Sequence, residues 1–381
     1  MMLTDDFDYD LPPELIAQEP AYPRDSCRLL VLDRARDRRE HRVFNEIGDY
    51  LEPGDLLVAN STRVMPARLL GRKAGTGGAA EVLLLREVKP DYGDGCALWE
   101  GLVRPGRRMK PGAVVEFFPG VANSHSVSTE EVVAEGTQGE DAAHPIMTAT
   151  VKDWTQEGGK GERLIEIRAL EGTLTDAVHR VGRAPLPPYI TKYTGDPEMY
   201  QTVYADRERS AAAPTAGLHF TRELIDTLVS SGVGFDTVEL EVGLDTFRIV
   251  DEEHPEDHQM HTERYHVRRE LIDRIEQTKA SGHRVIAVGT TSLRSLESAW
   301  DEASEQMCPT APGGDCTSLY ILPGYRFHVV DGLITNFHVP RSTLMMLVSA
   351  LATPEQIQAA YADAIARRYR MLSFGDAMLI I

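Results

Sequence analysis

The sequence predicts a discontinuous α/β domain interrupted by an inserted antiparallel β domain, and three observations carry that prediction. Two short apolar runs near the start read as buried strands. A long stretch from Pro66 to Leu170 then holds strand patterns with no helix between them. Beyond Glu171, helical and strand patterns alternate to the end of the chain. The domain boundaries follow as 1–65 with 170–381 for the α/β part and 66–169 for the insertion.

The early strands are LLVLDR from Leu29 and DLLVAN from Asp55, the second entered through the Pro53-Gly54 turn. Within the insertion, EVLLLREV, LWEGLVRPG, GAVVEFF, EEVVAEG, MTATVKD and RLIEIRAL are separated by Gly, Pro, Asp and Ser clusters. Strands at this spacing build a small closed or sandwiched sheet. Gly75 to Ala80 fits G-x-G-x-x-A formally, but it opens no helix and reads as a hairpin loop.

In the C-terminal part, Thr221 is an N-cap for a helix carrying Leu224, Ile225, Leu228 and Val229 and closing near Gly232. A second helix sets Leu271, Ile272 and Ile275 on one face and stops at Gly282. The strand Val285–Val288 follows and runs into a helix with Leu293 and Leu296. GYRFHVVDGLITNFHVPRS has the shape of a hairpin turning at Asp331-Gly332, and Ser342 caps the next helix. Thr353-Pro354-Glu355-Gln356 is a capping box with proline at the first helical position.

Composition narrows the function classes. A chain of 381 residues with 42% hydrophobic and 26% charged residues is an ordinary globular protein, large enough for two or three domains. No apolar run approaches the ~20 residues a membrane span needs. The acidic start MMLTDDFDYD carries no secretion pattern, which points to the cytoplasm. Cys27, Cys96, Cys308 and Cys316 are scattered without C-x-x-C spacing, as in a reducing compartment. A net charge of −19 repels nucleic acid overall, so any RNA contact must be local. No G-x-x-x-x-G-K-[ST] run exists, which removes the ordinary ATP and GTP hydrolases.

Several runs have the makings of a site. Ala211 to Gly217 puts almost no bulk on seven consecutive positions, so backbone and ligand can approach closely, and His219 stands at the rim. The same pattern also suits a plain tight turn before a capped helix. Gly289-Thr290-Thr291-Ser292 after a strand, with Arg294 one turn in, can hold phosphate, ribose or carboxylate groups. Thr291 and Ser292 equally serve as ordinary caps. Asn336 and His338 share one strand face, either as site groups or as a satisfied core pair. His254, His258 and His261 lie in the acidic run DEEHPEDHQMHTE. Their spacing invites a metal, but Pro255 breaks the helix that three-point coordination would use. Asn60 to Arg63 ends a strand where ligand crevices of open sheets lie. Arg104, Arg107, Arg108 and Lys110 form a basic loop suited to phosphate.

In order along the chain, FDYDLP, PGDLLVANSTRVMPARL, PLPPYI, YQTVY, AAPTAGLHF, EDHQMHTE, VIAVGTTSLRSLES, LITNFHVPRSTLMMLVSAL and YRMLSFGDAMLI resemble one family. It is the S-adenosylmethionine:tRNA ribosyltransferase-isomerases of the queuosine pathway. The resemblance is weakest in the β-rich middle. It implies a Rossmann-like, three-layer α/β domain with an inserted antiparallel β-barrel. It also implies transfer and isomerisation of the ribosyl part of S-adenosylmethionine onto 7-aminomethyl-7-deazaguanine at the wobble position of tRNA. Epoxyqueuosine forms, and adenine and methionine leave. No metal or permanently bound cofactor is expected, and the chain is expected to act as a monomer.

Under that resemblance His219, His258, His261 and His338 are the candidate proton-transfer groups. Thr215, Gly217, Gly289, Thr290, Thr291, Arg294 and Asn336 are the candidates for S-adenosylmethionine. Asn60, Arg63, Arg104, Arg107 and Lys110 are the candidates for tRNA. Three positions depart from the family pattern: glycine is usual at Arg209 and at Asp245, and Asp or Asn is common at Ser61. The competing readings are an S-adenosylmethionine-dependent RNA methyltransferase, whose glycine-rich loop is absent, and a non-catalytic RNA-binding scaffold, which the net negative charge disfavours.

Overall fold

The computed structural model describes residues 2–93, 95–119, 144–155, 161–243, 246 and 248–381. The chain divides into two compact units: Met1–Arg63, Pro187–Ile190 and Glu198–Ile381 form one, and Val64–Leu186 with Thr191–Pro197 form the other.

The first unit is built on a nine-stranded sheet. Its order is Asp315–Thr317, Glu263–His266, Gly234–Leu240, Leu56–Asn60, Val285–Val288, Gly332–Asn336, Ala377–Ile380, Arg28–Asp33 and Arg38–Val43. The four strands from Gly234–Leu240 to Gly332–Asn336 run parallel to one another. Leu56–Asn60, Val285–Val288 and Gly332–Asn336 are buried on both faces, and alternation along the strands of the sheet divides its side chains between two cores. Leu29, Val31, Leu57, Ala59, Ile286, Val288 and Ile334 meet Phe44, Ile47, Leu224 and Leu228 on one face. On the opposite face Leu30, Leu32, Val58, Val238, Ala287 and Leu333 meet Leu271, Leu293, Met346 and Ile357. Helix Arg222–Ser230 therefore covers one side, and helices Arg269–Ala280, Thr290–Ser298, Thr343–Leu351 and Pro354–Ala366 cover the other. The result is three layers, as the resemblance implied.

The predicted caps are in place. Thr221, Ser342 and Thr353 accept hydrogen bonds from Leu224, Met345 and Gln356 N–H at 3.1, 3.3 and 3.2 Å. The predicted hairpin at Asp331-Gly332 is not: only its second half, Gly332–Asn336, is a strand, and it pairs with Val285–Val288 and Ala377–Ile380 instead. The buried carboxylate of Glu297 explains this. It accepts the N–H groups of His328, Val329 and Val330 at 3.0, 3.0 and 2.9 Å, taking the donors a partner strand would have paired.

The second unit is a closed antiparallel barrel. Arg68–Lys73, Ala79–Lys89, Cys96–Arg104, Arg163–Ala169, Met147–Trp154 and Val114–Phe117 follow one another, and pairing of Arg72 with Glu116 closes the ring. Closure needs the glycine at Gly71, where a Cβ would come within 2.5 Å of the Glu116 carbonyl oxygen. Leu69, Val82, Val103, Val115, Phe117, Ile165 and Ile167 fill the interior. This unit reaches beyond 169, where the sequence reading ended the insertion, because helix Leu174–Val181 buries Ala177, Val178 and Val181 in the same core. The loop at Gly75 joins two barrel strands as a hairpin. The run EEVVAEG lies outside the described residues. No helix among the described residues is long and apolar enough to cross a membrane.

Candidate active site

Parallel strands bring their carboxyl ends together, and here those ends are Leu240, Asn60, Val288 and Asn336. From Asn60 the chain returns as Gly234–Leu240 on one side of the sheet. After Val288 it returns as Gly332–Asn336 on the other. Connections that diverge in this way leave a crevice between them, where open α/β sheets bind ligands. A narrow cleft, part of it open to solvent, occupies that place. Thr215, Gly289, Thr290, Thr291, Asn336 and His338 line it, and Tyr189, Thr246, Ser342 and Ser373 add hydroxyls. Among the described residues no Asp, Glu, Lys or Arg side chain lines it.

Gly289 shapes the floor. Its φ of +89° is a conformation that other residues rarely adopt, and its N–H donates to the Ile334 carbonyl at 2.8 Å. Gly289 itself, rather than Thr291 or Ser292, is the N-cap of helix Thr290–Ser298, and it has no side chain to cap with. The amides of that first turn thus have no side-chain cap, and the positive end of the helix dipole lies behind them. Asn60 lies beneath, fully buried, donating to the Leu240 carbonyl at 3.0 Å and lying 3.4 Å from the Thr291 hydroxyl.

Asn336 joins the walls. Its Nδ2 faces the carbonyls of Leu372 and Ser373 at 3.2 and 3.4 Å and His219 Nε2 at 3.1 Å, while its Oδ1 accepts from Thr215 Oγ1 at 2.9 Å. His219 Nδ1 sits 3.2 Å from Cys27 Sγ. Burial, with the charges of Arg370 and Arg24 adding to it, pulls the imidazole of His219 down to about 3. Burial pushes the Cys27 thiol up, so both groups are neutral at physiological pH. His219 is therefore not at the rim, as the sequence suggested, but behind the wall and 4% exposed.

His338 lines the cleft directly. Its Nε2 lies 2.7 Å from Thr335 Oγ1, and burial pulls it too down to about 3. Nδ1 makes no hydrogen bond among the described residues.

The other sequence candidates scatter. Gly217 is a packing glycine: a Cβ there would come within 2.0 Å of the Tyr204 hydroxyl. Arg294 points away from the cleft into a buried ion pair with Glu263 and donates to the Leu319 carbonyl at 3.1 Å. His258 pairs with Glu252 at 2.9 Å, and His261 Nε2 lies 3.2 Å from Glu263 Oε1, close enough for charge pairing but out of line for a hydrogen bond. His254 instead faces the Met2 carbonyl, and no group of three metal-ligating side chains forms among the described residues. Asn60 offers no surface to RNA, and Arg63 pairs with Glu198 and Glu208. Arg104, Arg107 and Lys110 are exposed on the barrel. Arg209 lies 3.7 Å from Glu241, while Asp245 lies outside the described residues.

Sequence reasoning missed Glu263, which accepts from Gly243 N–H at 3.0 Å and so braces the loop carrying Thr246. Burial opposes its ionisation, but Arg294 and His261 outweigh that and hold its carboxyl down at about 2. It missed Cys27, Thr335 and Ser373 too, since single small polar residues in apolar runs carry no pattern.

Fold and cleft together define an open-sheet α/β protein with a polar cleft at its strand ends and a barrel inserted after one of them. The chain belongs to the queuosine biosynthesis protein family, whose profile matches residues 4–380. It is 48% identical over 380 residues to the S-adenosylmethionine:tRNA ribosyltransferase-isomerase of Symbiobacterium thermophilum, covering 100% of both chains. The protein of the same name from Desulforamulus reducens is 46% identical over the same length and coverage. Among solved structures, the S-adenosylmethionine tRNA ribosyltransferase of Thermotoga maritima is 36% identical with a TM-score of 0.50, covering 99% of this chain and 100% of that one.

Proposed function

We propose that this protein is an S-adenosylmethionine:tRNA ribosyltransferase-isomerase. It moves the ribosyl part of S-adenosylmethionine onto 7-aminomethyl-7-deazaguanine in the tRNA wobble position, giving epoxyqueuosine and releasing adenine and methionine. The observation that carries the reading is that the family match spans the whole chain while its runs AAPTAGLHF, VIAVGTTSL and LITNFHVP converge on one cleft.

Thr215, Asn336, Thr290 and Thr291 hold the nucleoside in this scheme. The uncapped first turn after Gly289 takes the carboxylate of the methionine part. The sulfonium acidifies the neighbouring 5′ carbon, and the neutral imidazole of His338 accepts the proton. That transfer lowers the net charge of the sulfonium centre by one, sulfur keeping its charge beside the new carbanion, and raises that of the imidazole by one, so the site gains no net charge. The burial that depresses His338 therefore weighs less against the step. Of the four histidines, only His338 is given proton transfer. The tRNA is held at Arg104, Arg107 and Lys110 through phosphates. The enzyme works in the cytoplasm as a single chain without a resident cofactor.

Incubation with S-adenosylmethionine and tRNA carrying the modified base tests this. Free adenine and methionine are expected. S-adenosylhomocysteine would mean methyl transfer instead, and no product would leave an RNA-binding scaffold.

A further inference from the structure

We infer that His219 is a positioning residue and not a proton carrier: its unprotonated Nε2 supports the Asn336 amide from behind, and that amide fixes the Thr215 hydroxyl as an acceptor that reads a hydrogen-bond donor on the ligand. The chain of reasoning starts at two backbone carbonyls. Leu372 O and Ser373 O face one end of the Asn336 amide at 3.2 and 3.4 Å, and carbonyl oxygens only accept. That end must be the NH₂ group, since the flipped amide would set three oxygens against one another.

The same NH₂ faces His219 Nε2 at 3.1 Å, so Nε2 must be the unprotonated nitrogen. A neutral imidazole then carries its hydrogen on Nδ1, aimed at Cys27 Sγ 3.2 Å away. An imidazolium here would press N–H against N–H. At the far end Asn336 Oδ1 can only accept, so Thr215 Oγ1, 2.9 Å away, must donate to it. The hydroxyl hydrogen is thereby used up, and what Thr215 offers the cleft is a lone pair. An N–H or O–H of the sulfonium nucleoside fits it, and an acceptor does not. The Leu372 and Ser373 carbonyls thus set the polarity of this wall, and His219 supports it from behind.

The ligand and the turnover assay rest on the ribosyl-transfer reading, whereas the tautomer does not. In ¹⁵N spectra of the imidazoles, His219 is expected to show the neutral Nδ1–H form throughout from about pH 5 to about pH 8. An Nε2–H form, or titration inside that window, would overturn the inference. By calorimetry Thr215→Val is expected to weaken S-adenosylmethionine binding about tenfold, with Thr215→Ser restoring it. Wild-type affinity in Thr215→Val would overturn the inference as well. His219→Gln places an acceptor oxygen near the position of Nε2 but has no titratable proton. It is expected to hold kcat within about threefold, while His219→Leu raises KM about tenfold. A loss in His219→Gln of about a hundredfold in kcat at unchanged affinity would make His219 a proton carrier after all. If wild type binds the nucleoside but releases no adenine, the reaction assignment fails while the spectra and affinities still decide this point.

Discussion

Replacing Arg294 by Met separates a stability role from a ligand role, because the sequence placed this residue at the substrate and the structure places it against Glu263. The two side chains are 4% and 2% exposed, so neither charge reaches bulk water. Removing the guanidinium leaves a buried carboxylate with Gly243 N–H and Thr246 Oγ1 at 3.0 and 3.4 Å and His261 Nε2 at 3.2 Å. Breaking one side of a buried pair costs about 3–5 kcal/mol, and a loss in that range is expected. The pH dependence gives a second readout. In wild type the Glu263 carboxyl is held at about 2 against an ordinary 4.5, so its contribution is complete above 4.5 and disappears as pH falls toward 2. The gap between wild type and Arg294→Met in urea unfolding should therefore be widest near neutral pH and close in acid. Adding Glu263→Gln should recover about 2 kcal/mol of the loss. Affinity for S-adenosylmethionine should stay within about threefold, since Arg294 does not line the cleft. A variant within about 1 kcal/mol of wild type that binds the nucleoside about tenfold more weakly would refute this account.

Three further outcomes follow from geometry already described. Below the ordinary 6.5 the unfolded chain protonates His219 and His338 while the folded protein resists until about 3, so each removes stability at up to about 1.4 kcal/mol per pH unit on acidification; urea midpoints independent of pH between about 7 and about 5 would contradict it. Gly217→Ala should lose about 1–3 kcal/mol to overpacking against Tyr204 and Thr202, read as a lower Tm with nucleoside affinity nearly unchanged. Arg104→Glu, Arg107→Glu and Lys110→Glu together should flatten the salt dependence of tRNA binding by about one unit for each phosphate no longer neutralised, leaving nucleoside affinity alone, and an unaltered slope would move the RNA elsewhere.

Legibility in the sequence followed periodicity. Apolar runs in LLVLD and DLLVAN, caps at Thr221, Ser342 and Thr353, and the helix-free stretch after Pro66 are local patterns, and the elements they predict are present. The hairpin at Asp331 failed because Glu297, distant in sequence, supplied an acceptor that local reasoning could not foresee. The site divided the same way. Gly289, Thr290, Thr291 and Asn336 sit at strand ends, a place deducible from order, and they line the cleft. Side-chain direction is not deducible, so Arg294 is expected at S-adenosylmethionine and Asn60 at tRNA, when both turn inward to partners far along the chain. Histidine identity suggested chemistry at four positions, but only burial and neighbours distinguish His338 at the cleft from His219 behind it.

A cavity walled by hydroxyls and amides, with no formal charge among its described lining, gives dissolved ions little to compete with beyond one helix start. A polyanion held by exposed arginines has no such immunity. Raising ionic strength should therefore act as a valve between the two substrates, washing the nucleic acid away while the nucleoside stays seated. Once sulfur gives up its positive charge along with the sugar, methionine leaves a wall that never held a counter-ion for it.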